Sequence, residues 1–255
     1  MRMGMKNATI CAMMLFGGLL FSGLKLPDKK ATVFEPFCLV ELFTSQGCGS
    51  CISAEEMAYN LKNDAEKRDG NVFVLSYHID YWNPLGWEDP FSDKKYDAYQ
   101  RKYAYALGIR TVYSPQIIVN GLREVPNIDK KLLHIAVNQS LYIKPSAGFY
   151  ELSATMENGK TPKVKYEISG DTAGCKINFA LVSKMEITKV KAGENKGSKL
   201  KNENVVRQLI SVDARSKGEI SFNENALPEP GNMAIIAYIQ NTKEMRILGA
   251  AKASF

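Results

Sequence analysis

Phe37-Cys38-Leu39-Val40-Glu41-Leu42-Phe43-Thr44-Ser45-Gln46-Gly47-Cys48-Gly49-Ser50-Cys51 passes from an apolar run, through a polar bend containing glycine, into two cysteines separated by two residues. The run from Phe37 to Phe43 is too short for a typical buried helix and nearly free of polar groups, so it reads as a strand covered on both faces. Glu41 is its one charged member. From Ile52 to Lys67, Met57, Leu61 and Ala65 recur at four-residue spacing, with Glu55, Glu56, Lys62 and Glu66 largely off that stripe. This spacing predicts an amphipathic helix. The cysteine pair then lies where a strand hands over to a helix, with free N–H groups and the positive end of the helix dipole facing Cys48. A thiolate is favoured there.

Val72-Phe73-Val74-Leu75-Ser76-Tyr77 is a second β-rich run, reached after the helix and an Asp69-Gly70-Asn71 turn. Strand, helix and strand in this order predict a right-handed crossover and a parallel pair. Both strands then end at one sheet edge, which brings His78 and Asp80 towards the cysteines. Tyr81 to Phe91 holds both tryptophans, Trp82 and Trp87, with Pro84, Gly86 and Pro90, and reads as a structured loop. Its tryptophans either cap the core or form an aromatic wall beside the site. Ser92 is the expected N-cap of a second helix, with Tyr96, Tyr99, Tyr103 and Leu107 on its inner stripe and Gly108 at its end. In Thr111 to Gly121, Pro115 opens a β-rich segment that closes on Asn120-Gly121, a strong hairpin signal. Proline can begin such a strand, and an X–Pro bond there can be cis. A third helix is expected over Asp129 to Leu141.

Beyond Pro145 alternation replaces helical stripes. Strands are expected over Gly148–Met156, Lys163–Ser169, Lys176–Val182 and Asn204–Val212, with a final hairpin from Met233–Ile239 and Met245–Ala250. Gly193 to Ser198 reads as a polar surface loop. The expected organisation is an α/β fold: a thioredoxin-like domain over 31–144, then a mainly antiparallel β-rich domain over 147–255.

The chain has 255 residues and a net charge of +6, with apolar and charged fractions of a globular protein. Residues 1–24 begin with Arg2 and Lys6 and continue as an uncharged, mostly apolar stretch from Ala8 to Leu24, which reads as an export signal. An uncleaved N-terminal membrane anchor is the alternative. Without Arg2 and Lys6 the +6 falls to +4, and no basic cluster interleaved with aromatics points to nucleic acid. The expected location is periplasmic or extracellular.

A C-x-x-C at a strand-to-helix turn in a βαβ order reads as a thioredoxin-like redox site. Cys48 would be the attacking thiolate and Cys51 the resolving thiol, with the Cys48–Cys51 disulfide in place of any separate cofactor. The partners implied are protein thiols or disulfides. A closed zinc site is disfavoured, since there is no second C-x-x-C and the chain has 2 histidines. The rival chemistry is a Cu(I)-binding or delivery module using Cys48, Cys51 and His78. Glu41, raised in pKa by an apolar strand, would carry a proton to or from Cys51, or be tied up locally. Cys38 and Cys175 read as buried small hydrophobes, with a bridge between them as the alternative.

The blocks Glu41–Cys51, Ser76–Trp82 with Leu85–Phe91, and Arg110–Gly121 resemble a bacterial family of exported thioredoxin-fold proteins of unassigned function. The resemblance implies a thioredoxin-like fold and thiol–disulfide activity, with Pro115 matching the cis-proline that faces the cysteine pair. Ser114, Trp82, Trp87 and Gly47 are then the residues expected to meet substrate. Ile52 departs from the proline expected after the second cysteine. Glu41 aligns with the buried acid of thioredoxins only after a one-residue shift.

Overall fold

The apolar run forms β1 (Cys38–Thr44), with every residue buried. Because side chains alternate along a strand, its two faces enter different clusters. Leu39 and Phe43 join one with Tyr77, Tyr99, Tyr103 and Tyr238. Cys38, Val40 and Leu42 join another with Ala54, Ala58 and Leu61. This two-sided burial makes β1 the centre of the structure, a computed structural model that describes Met1 and residues 33–255 apart from 68, 69, 226 and 230. The expected export signal over 1–24 lies outside the described residues, apart from Met1.

α1 (Cys51–Glu66) follows the bend and begins at the second cysteine. Its buried face consists of Cys51, Ala54, Glu55, Ala58, Leu61 and Ala65. That corrects the expected stripe: Met57 is only partly covered, and Glu55 lies on the inner face. Ala54 and Ala58 leave the helix short side chains where it meets the sheet. β2 (Val72–His78) pairs parallel to β1, from Cys38 opposite Val72 to Thr44 opposite His78. α2 (Lys94–Leu107) is capped by Asp93, whose side chain accepts from the Lys95 N–H, and not by Ser92 as expected. Gly108 ends it at φ 68°, as the sequence led us to expect.

β3 (Gln116–Val119) pairs antiparallel to β1, and β4 (Arg123–Val125) pairs antiparallel to β3 through the Asn120-Gly121 turn. α3 (Lys130–Ser140) completes this half, with Asp129 as its N-cap. The change of pattern near 144–147 is the passage from α3 to β5 (Ala147–Glu157). β6 (Thr161–Gly170) follows, then β7 (Cys175–Lys189) and β8 (Lys199–Asp213). β9 (Lys217–Ser221), β10 (Met233–Asn241) and β11 (Ile247–Ser254) end the chain.

Strands of both halves make one eight-stranded sheet, in the order β11-β10-β7-β8-β2-β1-β3-β4, while β5-β6-β9 form a second, three-stranded sheet. The junction is narrow. β2 meets β8 in a parallel bridge at Ser76 and Val205, beside which Asn204 Nδ2 donates to the Val74 carbonyl at 3.0 Å. The described residues from 33 onwards fall within one compact unit. β7 and β8 also continue past their neighbours: β10 leaves β7 at Ser183, but the β7–β8 pairing runs on to Lys189 opposite Lys199. The result is a two-stranded arm whose tip, residues 190–198, returns over the end of β1. No helix among the described residues is long and apolar enough to cross a membrane.

Candidate functional site

Cys48 and Cys51 are joined in a disulfide with 5.3 Å between their Cα atoms. The bend that carries them is closed by backbone bonds from the Cys48 N–H to the Ser45 carbonyl, 3.1 Å, and from the Cys51 N–H to the Cys48 carbonyl, 3.2 Å. Opposite lies the start of β3, where the Ser114–Pro115 peptide is cis. The Ser114 carbonyl oxygen is 3.9 Å from Cys48 Sγ, and Ser50 Oγ is 3.4 Å from it. Trp82 donates from Nε1 to Ser114 Oγ at 2.6 Å, and a Cβ on Gly47 would stand 3.5 Å from the Trp82 Cβ. Trp87 donates from Nε1 to Gln46 Oε1 at 3.3 Å. Gly47, Trp82, Trp87, Ser114 and Pro115 are therefore gathered around the disulfide.

Both sulfurs are covered: Cys48 is 0% exposed and Cys51 1%. The tip of the β7–β8 arm, which composition alone marks as a solvated loop, is bonded to the backbone of the bend. Asn195 is buried and donates from Nδ2 to the carbonyls of Gln46, 2.9 Å, and Cys48, 3.1 Å. Glu194 Oε2 accepts from the Gly49 N–H at 3.0 Å. From Nε2, Gln46 donates to Thr188 Oγ1, 3.0 Å, and Asn202 Oδ1, 2.8 Å. Beside this contact a cleft of about 340 Å³ opens between α1 and the start of β8, lined by Cys51, Ile52, Glu55, Tyr59, Leu200 and Asn202 among others.

Glu41 is not brought to the cysteines. Strand alternation turns it to the face opposite α1, where Tyr99 donates to Oε1 at 3.1 Å and Tyr103 donates to Oε2. Burial pushes its carboxyl up to about 7, against the hydrogen bonds of Tyr103, Tyr99, Tyr77 and Tyr238. The Tyr77 and Tyr238 hydroxyls are 2.9 Å apart, so the acid sits in a buried tyrosine layer shared by both halves.

His78 is held between two carboxylates. Its Nδ1 is 2.7 Å from Asp89 Oδ2, and its Nε2 is 4.0 Å from Glu55 Oε1. Asp89 accepts from the N–H groups of Gln46, 2.8 Å, and Phe91, 2.9 Å. Burial works against charge on both partners, but their mutual attraction and hydrogen bond hold the Asp89 carboxyl low and the imidazole high. Of the Cys48, Cys51 and His78 set, the two sulfurs are bonded to each other and His78 is engaged by Asp89. Asp80 lies beside Asp97, its N–H donating to Asp97 Oδ1 at 3.0 Å.

Glu55 is the site residue that sequence reasoning placed wrongly. It is buried, and neither carboxylate oxygen has a hydrogen-bond partner. The available signal was its position four residues after Cys51, which puts both on one helix face. Cys38 and Cys175 are both free and buried.

Comparison with known proteins places this geometry in context. The profile of a family described as "Protein of unknown function (DUF1223)" matches residues 39–240. A crystal structure of a protein from Agrobacterium tumefaciens superposes with a TM-score of 0.65 at 24% identity, covering 86% of this chain and 94% of that one. At that identity the likeness speaks for the fold alone. A β-glucuronidase from Bifidobacterium dentium aligns over 44% of this chain and 17% of its own, at 16% identity and a TM-score of 0.25, too low to carry an argument. No curated protein matches the chain.

Proposed function

The chain belongs to the DUF1223 family, which is described without a function, and from its own residues we propose an exported thiol–disulfide oxidoreductase acting on protein thiols or disulfides through Cys48 and Cys51. The observation that carries this reading is the Cys48–Cys51 disulfide at the head of α1, with the Ser114–Pro115 segment directly across from the first sulfur. Further support comes from the order β4-β3-β1-β2, with α1 as the crossover between β1 and β2. A thioredoxin-like fold would order its strands in this way; the second half adds four strands to the sheet, two of which extend into the arm.

In the reducing direction the Cys48 thiolate attacks a substrate disulfide and forms a mixed disulfide, while the first substrate sulfur leaves as a thiolate. Cys51 then attacks Cys48 Sγ, and the internal disulfide closes as the second substrate sulfur departs. Two electrons pass to the substrate. The oxidising direction is the same sequence reversed, and the potential of the pair selects between them: near −270 mV, about that of thioredoxin, it reduces, and near about −120 mV it oxidises. Ser114, Trp82 and Gly47 border the first sulfur and would meet the substrate chain. Both sulfurs are covered, so exchange needs an opening, and in this reading it is the arm tip, bonded to the cysteine bend, that lifts.

The test is reduction of a peptide disulfide by the wild type and by the Cys48→Ser and Cys51→Ser variants. Cys51→Ser should accumulate a mixed disulfide at Cys48, visible by mass, and Cys48→Ser should be inactive. Full activity in Cys48→Ser would reject the assignment.

A further inference from the structure

The cluster behind Cys51 has no part in the steps above as written. Glu55 stands one helical turn beyond Cys51, on the same buried face of α1, and both line the cleft between α1 and β8. Its two carboxylate oxygens and the His78 Nε2 are buried without hydrogen-bond partners, and they face each other at 4.0 Å. Thr44, opposite His78 in the β1–β2 register, also has an unpartnered buried hydroxyl. Behind His78 the chain of contacts is complete: Asp89 holds Nδ1 and is itself held by the Gln46 and Phe91 amides. A buried carboxylate left without donors is costly, and this one shares both its helix face and its cleft with Cys51.

We propose that Glu55 accepts the proton of the Cys51 thiol when Cys51 resolves the mixed disulfide, with His78 and Asp89 as positioning residues. The inference rests on the thiol–disulfide reading above and deepens it. In the step, Cys51 transfers its proton to the Glu55 carboxylate, and its sulfur attacks Cys48 Sγ. The Cys48–Cys51 bond forms, the bond from Cys48 to the substrate sulfur breaks, and its electron pair leaves on the substrate as a thiolate. Run backwards, protonated Glu55 returns the proton to Cys51 as the internal disulfide opens.

The surroundings shift the carboxyl in the direction that suits a proton acceptor. Burial raises the Glu55 carboxyl, the charge of His78 and the nearby Thr44 and Asn202 side chains oppose that rise, and the charge of Asp89 adds to it. Other groups around the cleft are Asn202 and the charged Glu56, Lys199 and Lys201, while Arg207 acts on His78.

The experiment uses full-length reduced protein mixed rapidly with oxidised glutathione, following formation and resolution of the mixed disulfide separately between pH 5.5 and about pH 9, just above the ordinary thiol value. Glu55→Gln should form it at the wild-type rate and resolve it roughly 100-fold more slowly near neutrality. The deficit should close at the alkaline end, where solvent deprotonates Cys51 unaided. Glu55→Asp should restore part of the rate. His78→Gln, by removing the cation that lowers Glu55, should move the pH midpoint of resolution upwards. A wild-type resolution rate and pH profile in Glu55→Gln, while Cys51→Ser still traps its mixed disulfide, would overturn the proposal and leave the exchange reading standing. Absence of any mixed disulfide in Cys51→Ser would defeat both. Should Glu55→Gln not fold, infrared titration of buried carboxyl groups in the wild type decides. A carboxylic-acid band whose midpoint moves when the disulfide is reduced supports the proposal, and one indifferent to redox state refutes it.

Discussion

Asn195→Ala tests how the covered sulfurs are reached. The Asn195 amide holds the carbonyls of Gln46 and Cys48 at 2.9 and 3.1 Å, and these two bonds fasten the arm tip to the cysteine bend. A buried hydrogen bond between neutral groups contributes about 1 kcal/mol net, so losing both should favour the lifted tip by about 2 kcal/mol. At 1.4 kcal/mol per tenfold, that is about a 30-fold rise in the open population. If tip motion is fast and reduction occurs only from the open form, the rate of reduction rises by the same factor. The assay is pseudo-first-order reduction of Cys48–Cys51 by a water-soluble phosphine, with free thiols read by mass after quenched alkylation. Glu194→Gln is the control, because its bond to the Gly49 amide is exposed and should change the rate only a few-fold. A rate for Asn195→Ala within twofold of wild type would show that reductant reaches the disulfide with the tip in place.

Other expectations follow from burial and backbone geometry. Glu41 has its carboxyl raised to about 7 in the fold, above its unfolded value, so the native state holds its proton more tightly. Wild-type stability should therefore fall as pH rises through the window from about 4.5 to 7, and Glu41→Gln should lack that loss, a difference approaching ~3 kcal/mol by urea melts at pH 4.5 and 8. A Glu41→Gln variant with the wild-type pH dependence would contradict this. Burial pushes the Cys38 thiol up to about 12, only partly offset by a hydrogen bond with Ser140. It should resist iodoacetamide at pH 8 until the protein unfolds, and rapid native labelling would place it elsewhere. Gly121 has φ 66°, and a Cβ there would stand 1.9 Å from the Met245 carbonyl oxygen. Gly121→Ala should cost at least ~2 kcal/mol of stability by chemical denaturation, and a neutral result would mean that the turn does not pack on the second half as described.

The first half is legible in the sequence because its signals are local. An apolar run covered on both sides, a C-x-x-C bend, a helical stripe and Asn120-Gly121 each determine their own geometry. Glu55 escapes that logic: one charged residue on an alanine-rich helix face looks solvated until β8, from far along the chain, covers it. The arm tip fails for a related reason, since Gly193-Glu194-Asn195-Lys196-Gly197-Ser198 has the same composition whether its donors meet water or the carbonyls of Gln46 and Cys48. Glu41 shows where alternation alone would have sufficed, because an odd position in β1 cannot share a face with Leu42. β9 has one apolar residue in five and gave no pattern to find. The composition change near 144–147 is real, but β8 joins β2 from a distance that no local signal reports.

That narrow junction carries a consequence for how the chain comes into being. Until Val205 has been synthesised, β2 has no neighbour on its outer side, and the Tyr77 hydroxyl waits for Tyr238 at a sequence separation of 161. A nascent first half therefore presents an open strand edge and an unfilled tyrosine layer. Such an intermediate is sticky, and a polypeptide halted at residue 144 should aggregate where the whole chain does not.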